Sequence, residues 1–179
     1  METSQYIGVD LHKAFFQVCV MAADGTRRWE GRFPTSATGI AQLTARDIAE
    51  SVVAVEATGP TWRFVDTVAP WVARVVVVDT RKTRLKAGYA AKTDRLDARR
   101  LADAVRRDSV VGIYVPPPAI RELRELTRYH RTLVRTSVAL KQRIHALLLR
   151  QQIGVPPVSD LFGARGRRWL ADVALEGQA

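Results

Sequence analysis

Cysteine is almost absent from this chain of 179 residues, because Cys19 is the only one. A single cysteine excludes a disulfide framework and a cysteine-based zinc cluster, and it favours a reduced, cytoplasmic setting. Long apolar runs are missing too, since none approaches the ~20 residues of a membrane-spanning helix. The opening METSQYIGVD lacks the charged-then-apolar layout of a signal peptide. We therefore expect a protein without a membrane partner.

Acidic residues are outnumbered, with 18 Asp and Glu against 28 Lys and Arg, which gives a net charge of +10. Such an excess favours a polyanionic partner, most often nucleic acid. The charge is uneven, because residues 81–107 contain ten basic residues and only three aspartates. The alternative is a coding bias that favours arginine and alanine throughout the chain.

Residues 1–115 have the pattern of an α/β domain. Three β-rich runs come first, with a tight turn at Asp24-Gly25 between the second and the third. Helical spacing and short, continuous apolar runs then alternate, ending in a helix over residues 93–107. The order β-β-β-α-β-α-β-α predicts a mixed five-stranded sheet with helices on both faces, which is the ribonuclease-H-like arrangement.

Residues 116–153 begin with three prolines, interpreted as a stiff spacer, and continue as a long basic helix without internal glycine or proline. Apolar residues recur along it at the heptad spacing of a coiled coil, ~50 Å in length. The two heptad positions are occupied by Leu126, Leu133, Leu140 and Leu147, and by Leu123, His130, Ser137 and Ile144. Packing of this seam within the chain is the alternative to dimerisation. Residues 154–179 read as a short helical segment.

Four carboxylates occupy related places in this order of elements. Asp10 ends the first strand and Glu56 ends the fourth, while Asp94 and Asp97 stand three residues apart at the start of a helix. If the two strands are neighbours, the four groups meet at one edge of the sheet. So many close carboxylates need cations, and hard oxygen ligands suit Mg²⁺ or Mn²⁺. A pair of such ions serves phosphodiester displacement.

Each acid also fits a structural interpretation. Asp10 and Glu56 are plausible turn residues, and Asp94 would cap its helix with Asp97 at the third position. The joint placement of all four favours the metal site.

Three stretches, GVDLHK, AVEATGP and KTDRLDARRLAD, resemble the acidic motifs of the DEDD insertion-sequence transposases. The resemblance extends through the long helix into LFGARGRRWL and so covers nearly the entire chain. These recombinases have a RuvC-like N-terminal domain and use a structured guide, the bridge RNA. The resemblance implies a RuvC-like domain over 1–115, with Asp10, Glu56, Asp94 and Asp97 as the Mg²⁺-binding tetrad. It also implies a bacterial setting, DNA and guide RNA as partners, and a homodimer or higher homo-oligomer.

The resemblance has one departure. Family members usually carry a second, C-terminal domain with a catalytic serine, and no stretch of this sequence resembles it. We therefore expect this chain to be an N-terminal portion that is not competent in strand exchange by itself.

Basic residues near the acids are expected to contact nucleic acid. Lys13, Lys92 and Arg95 flank the carboxylates and suit phosphate contacts. Each also fits a solvated charge that balances the acids. The full predicted contact set is Lys13, Lys92, Arg95, Arg99, Arg128, Arg135 and Arg143.

Two other functions are open alternatives. A stand-alone, metal-dependent, structure-specific DNA nuclease would use the same acids to activate water. A non-catalytic nucleic-acid-binding or dimerisation module would use only the basic helix and its seam. A sugar-kinase-like ATPase has a similar strand and hairpin layout, but the glycine and threonine that would cradle phosphate after Asp10 are missing.

Overall fold

The computed structural model describes residues 5–79, 82–83 and 93–174. The chain divides into two compact units, Met1–Val115 and Pro116–Ala179. The first unit contains the sheet, and the second is helical.

A five-stranded mixed sheet forms the centre of the first unit. Its strand order is β3-β2-β1-β4-β5; β2 runs antiparallel to both β1 and β3, while β1, β4 and β5 are parallel. This confirms the predicted ribonuclease-H-like α/β fold. The elements are β1 Gln5–Leu11, β2 Phe15–Ala22, β3 Arg27–Pro34, α1 Ala37–Thr44, β4 Ser51–Glu56, α2 Thr61–Val68, β5 Arg74–Val78 and α3 Asp94–Arg106.

The two faces of the sheet are covered differently. Alternate strand residues such as Val9, Val18 and Val55 belong to the larger apolar core, which also includes buried residues of α1 and α2. The intervening residues face α3, which packs on β1, β2 and β4. Because side chains alternate along a strand, the even-numbered residues of β1, such as Gly8, lie beneath α3.

The turn between β2 and β3 has the predicted hairpin chemistry. Gly25 adopts a φ of +92°, which favours glycine, and the Asp24 carboxylate accepts a 2.7 Å hydrogen bond from the Thr26 amide.

A contact between small residues brings α3 close to the sheet. Gly8 is buried in β1, and Ala98 and Ala102 of α3 are both fully buried. A Cβ built on Gly8 would lie 2.0 Å from the Ala98 carbonyl oxygen and 2.4 Å from the Ala102 amide nitrogen. Only glycine therefore permits this backbone approach, which fixes the depth at which α3 packs.

The second unit contains α4 Pro118–Arg150 and α5 Ala164–Asp172. Pro118 is the first residue of α4, so the proline spacer is shorter than predicted; proline suits this position because its missing amide has no partner there anyway. Four leucines of the predicted seam are exposed in the chain, from 51% for Leu133 and Leu140 to 66% for Leu126, whereas Leu147 near the end of α4 is half-buried. No helix among the described residues combines the length and apolar character that crossing a bilayer requires.

Candidate metal centre

Asp10 and Glu56 lie on neighbouring parallel strands. Val9 pairs with Val55 in the β1–β4 register, so Asp10 and Glu56 are the next residues along their strands. Asp10 follows Gly8 by two residues and therefore shares its face, which is the face that α3 covers. By the same alternation, Glu56 lies on the face of Ala54, which belongs to the cluster beneath α3.

The start of α3 brings Asp94 and Asp97 to this edge. Thr93 is the N-cap, and its Oγ1 accepts a 3.3 Å hydrogen bond from the Leu96 amide. The alternative in which Asp94 caps the helix is therefore wrong. Thr93 takes the capping role, so neither Asp94 nor Asp97 is needed to cap the helix.

His12 connects the two groups of acids. Its Nε2 lies 2.9 Å from Asp10 Oδ2 and 3.3 Å from Asp94 Oδ1. One potential ligand atom from each of these three residues lies within 4.8 Å of the others. The sequence reasoning did not include His12 in the site. The signal that could have identified it is its place in VDLHK, two residues beyond Asp10.

The electrostatics of Asp10 reflect this crowding. Burial raises the pKa of the Asp10 carboxyl, since only 9% of the residue is exposed, and His12 opposes the rise. The carboxylates of Asp97 and Asp94 raise the same pKa further. Asp10 is therefore held where its negative charge is unfavourable unless a cation is near.

The other predicted acids are close to this centre but have different contacts. Asp97 lies near enough to affect Asp10, and its Oδ1 also accepts a 3.0 Å bond from Arg100. Glu56 is half-buried and shares the edge, yet it lies outside the 4.8 Å group found among the described residues. The donors are carboxylate oxygens with one imidazole nitrogen, and this set fits a divalent cation.

Arg99, one of the residues predicted to contact nucleic acid, forms an ion pair within the chain. Its guanidinium forms a two-pronged ion pair with Glu30 of β3, with one bond from Nε to Oε1 and one of 3.0 Å from Nη2 to Oε2. This hydrogen bonding holds the pKa of Glu30 below its ordinary value. Arg99 therefore ties α3 to the edge strand β3.

The remaining predicted basic residues are solvent-facing where the structure describes them. Lys13 and Arg95 are exposed in the first unit, and Arg128, Arg135 and Arg143 are exposed along α4. Lys92 lies outside the described residues.

An open cavity of about 330 Å³ adjoins Asp94 at the start of α3. Its lining includes Asp94, Arg95, Gln17, Glu30 and Arg32. Arg32 is held over the Phe15 ring, 3.5 Å from its centroid. The cavity thus places Arg32 and Arg95 near the Asp94 carboxylate, an arrangement suited to an anion that bridges to a metal.

Comparison with known proteins identifies the family of the chain. No curated protein matches the chain. A family model described as a transposase, of the DEDD type of IS110 elements, matches residues 7–152, a span that includes both strand acids and both acids of α3. Since the matched span covers most of the chain, this protein belongs to the IS110 family of DEDD transposases.

Proposed function

We propose that Asp10, Glu56, Asp94 and Asp97 hold Mg²⁺ or Mn²⁺ for DNA strand cleavage and exchange during transposition. The observation that carries the proposal is the convergence of Asp10 and Asp94 on His12, with Asp97 close enough to perturb Asp10. Structural caps or turn residues would have no reason to meet from β1 and α3. Carboxylates gathered in this way require a compensating positive charge.

The roles of the protein groups follow from their positions. The acids would orient the cation, which when bound polarises a phosphodiester and stabilises charge on the attacking and leaving oxygens. Arg95 and Arg32 line the adjoining cavity, where they can hold a backbone phosphate near the carboxylates. The attacking serine comes from another region of the recombinase, as the family resemblance implies.

The partners are part of the same proposal. The basic first unit and α4 bind DNA and a structured guide RNA, with phosphate contacts from Lys13, Lys92, Arg95, Arg128, Arg135 and Arg143. Arg128 and Arg135 each follow a seam leucine by two residues, about 200° around the helix, so they lie away from the seam, whereas Arg143 flanks it. The part of the seam from Leu123 to Leu140, which is exposed, pairs with a second copy of the chain. The protein acts in the bacterial cytoplasm.

Asp10→Asn is the variant that tests the metal site. The pKa of Asp10 in the folded protein is raised above its ordinary value of 3.8. At pH values between 3.8 and the folded-state pKa, folding therefore takes up a proton. Stability therefore falls as pH rises through that interval, and ionised Asp10 destabilises the metal-free fold at neutral pH. We expect Asp10→Asn in EDTA at pH 7 to raise the melting temperature by a few degrees, ~2–4 °C for each kcal/mol gained.

Addition of metal should reverse the order of the two melting temperatures, so that the wild-type protein becomes more stable than Asp10→Asn. Excess Mg²⁺ or Mn²⁺ is expected to stabilise the wild-type protein by about 2.7 kcal/mol at 100 times the dissociation constant, and Asp10→Asn much less. Differential scanning calorimetry in EDTA and in each metal measures both effects. A lower melting temperature for Asp10→Asn in EDTA, with no metal effect on the wild type, would contradict the proposal.

Arg95→Ala and Arg99→Ala form a matched pair that separates nucleic-acid binding from structure. Arg95 is exposed near the positive N-terminal end of α3, so its loss should leave stability within ~0.5 kcal/mol. Arg99→Ala breaks the Glu30 pair and should cost about 1 kcal/mol at neutral pH. That contribution disappears as pH falls below 4.5 through the lowered pKa of Glu30.

Nucleic-acid binding should show the opposite pattern. Fluorescence anisotropy with duplex DNA and with structured RNA, over a salt series, is expected to give a salt slope smaller by about 1 for Arg95→Ala. Arg99→Ala should leave the slope unchanged. A salt slope reduced by Arg99→Ala and unaffected by Arg95→Ala would contradict the proposal, because it would give the phosphate contact to Arg99 instead of Arg95.

A further inference from the structure

His12 is placed at the centre of the carboxylates by contacts of its own. Its amide donates a 2.9 Å hydrogen bond to the Phe15 carbonyl, and its carbonyl accepts a 2.8 Å bond from Thr35 Oγ1. Its ring also packs on the Phe15 ring, with centroids 4.9 Å apart. None of these contacts involves an acid: the connection between β1 and β2 holds the His12 backbone, and the Phe15 ring packs on the imidazole.

The separations around Nε2 match those of neighbouring ligands on one ion. Two ligands at right angles on an ion with ~2.1 Å bonds lie ~3.0 Å apart. The observed separations are 2.9 Å from Nε2 to Asp10 Oδ2 and 3.3 Å from Nε2 to Asp94 Oδ1. A hydrogen bond to Asp10 alone would not require the second approach, to a residue on another element.

We propose that His12 is itself a ligand of the cation, through Nε2, and that it shifts the site towards first-row transition ions. This inference rests on the proposed metal site. Imidazole nitrogen suits transition ions, whereas Mg²⁺ prefers an all-oxygen shell that includes water. With His12 added to Asp10 and Asp94, the site prefers Mn²⁺ and related ions over Mg²⁺. The ring binds as the neutral tautomer that carries its proton on Nδ1, so a proton held by Nε2 in the metal-free protein passes to Nδ1 or to solvent when the ion binds.

Pulsed electron paramagnetic resonance of Mn²⁺ added to the protein, alone and with a DNA duplex, tests the ligand directly. A coordinated imidazole gives nitrogen modulation of the Mn²⁺ echo, and labelling histidine with ¹⁵N changes its frequencies without any substitution. We expect this signal in the wild type and its loss in His12→Gln. His130→Gln is the matched control, because His130 is an exposed histidine of α4, and it should retain the signal.

Affinity gives a second readout. Titration at constant pH should show Mn²⁺ binding weakened about 10-fold by His12→Gln and Mg²⁺ binding changed by less than about 3-fold. Circular dichroism checks that His12→Gln is folded. If that variant does not fold, the ¹⁵N-labelled wild-type protein decides whether a histidine binds the ion.

The outcomes separate this inference from the proposed function. If Asp10→Asn abolishes Mn²⁺ binding but the wild type shows no histidine nitrogen coupling, His12 is not a ligand and the carboxylate site stands. If Mn²⁺ binds equally well to Asp10→Asn, or to neither protein, both proposals are overturned.

Discussion

Transposition is expected to fall by at least about 100-fold when Asp97 is replaced by asparagine. Metal ions contribute several kcal/mol of charge stabilisation to phosphoryl transfer, and each 1.36 kcal/mol corresponds to a factor of ten in rate. Asparagine keeps the shape of Asp97 and removes its charge, on the helix that carries Asp94 towards Asp10. The measurement is the transposition frequency of the insertion sequence in cells, with the level of the variant protein determined by immunoblot.

Asp47→Asn is the control for this experiment. Asp47 is exposed, and its backbone carbonyl accepts a 3.1 Å bond from Gln5, which begins β1. Asp10 is five residues further along that strand, ~17 Å away. The control should transpose at the wild-type frequency. Equal frequencies for Asp97→Asn and the wild type would contradict a catalytic role for Asp97.

Asp97→Asn also distinguishes a transposase from a stand-alone nuclease. A stand-alone nuclease would cut branched DNA with Mg²⁺ and without guide RNA, and Asp97→Asn would abolish the cutting. For the proposed function, we expect the chain alone to leave branched DNA uncut. Cutting that depends on Asp97 and needs no RNA would favour the nuclease.

Gly8→Ala is expected to have the largest effect on stability, a loss of about 3 kcal/mol or more. The added Cβ would lie 2.0 Å from a carbonyl oxygen and 2.4 Å from an amide nitrogen, both in the backbone of α3. Backbone atoms cannot turn aside as the end of a side chain can, so α3 has to move as a whole. Chemical denaturation measures the loss, which corresponds to a melting temperature lower by about 6–12 °C.

Displacement of α3 would also affect the acids, because Asp94 and Asp97 are on its first turns. Mn²⁺ binding by the folded fraction should therefore weaken in Gly8→Ala. Gly39→Ala is a matched control for this second effect: its Cβ would lie 1.9 Å from the Pro34 carbonyl oxygen, so it also destabilises, but on α1, away from α3.

Gly59→Ala controls for the removal of glycine itself. Nothing lies within 4 Å of a Cβ at Gly59, so its stability should change by less than about 1 kcal/mol. A Gly8→Ala protein as stable as Gly59→Ala would contradict the close packing of β1 against α3.

Much of the fold could be predicted from local patterns. Alternation and apolar runs predict the five strands, and Asp24-Gly25 predicts the hairpin, because these signals depend on neighbouring residues alone. The acids at the strand ends could be identified for a related reason, since a polar carboxylate directly after an apolar run is unusual. The capping partner of α3 was missed because Thr93 and Asp94 are both good caps, and only backbone geometry distinguishes them.

The partners of individual side chains could not be read in this way. Arg99 has the pattern of a phosphate contact, yet its guanidinium pairs with Glu30, which lies 69 residues earlier in the chain. The edge position of β3 and the packing of α3 determine that ion pair. Neither can be predicted from the residues that neighbour Arg99 in the sequence.

By itself, the sequence determined the order of strands and helices, the length of the basic helix and the four candidate acids, since periodicity and composition act over short distances. The tertiary structure decided which groups meet. Gly8 allows α3 to approach β1 closely, and this approach brings Asp94 to His12 and Asp10. The burial of Asp10 follows from the same packing, so the charge balance of the centre depends on residues that are distant in the chain.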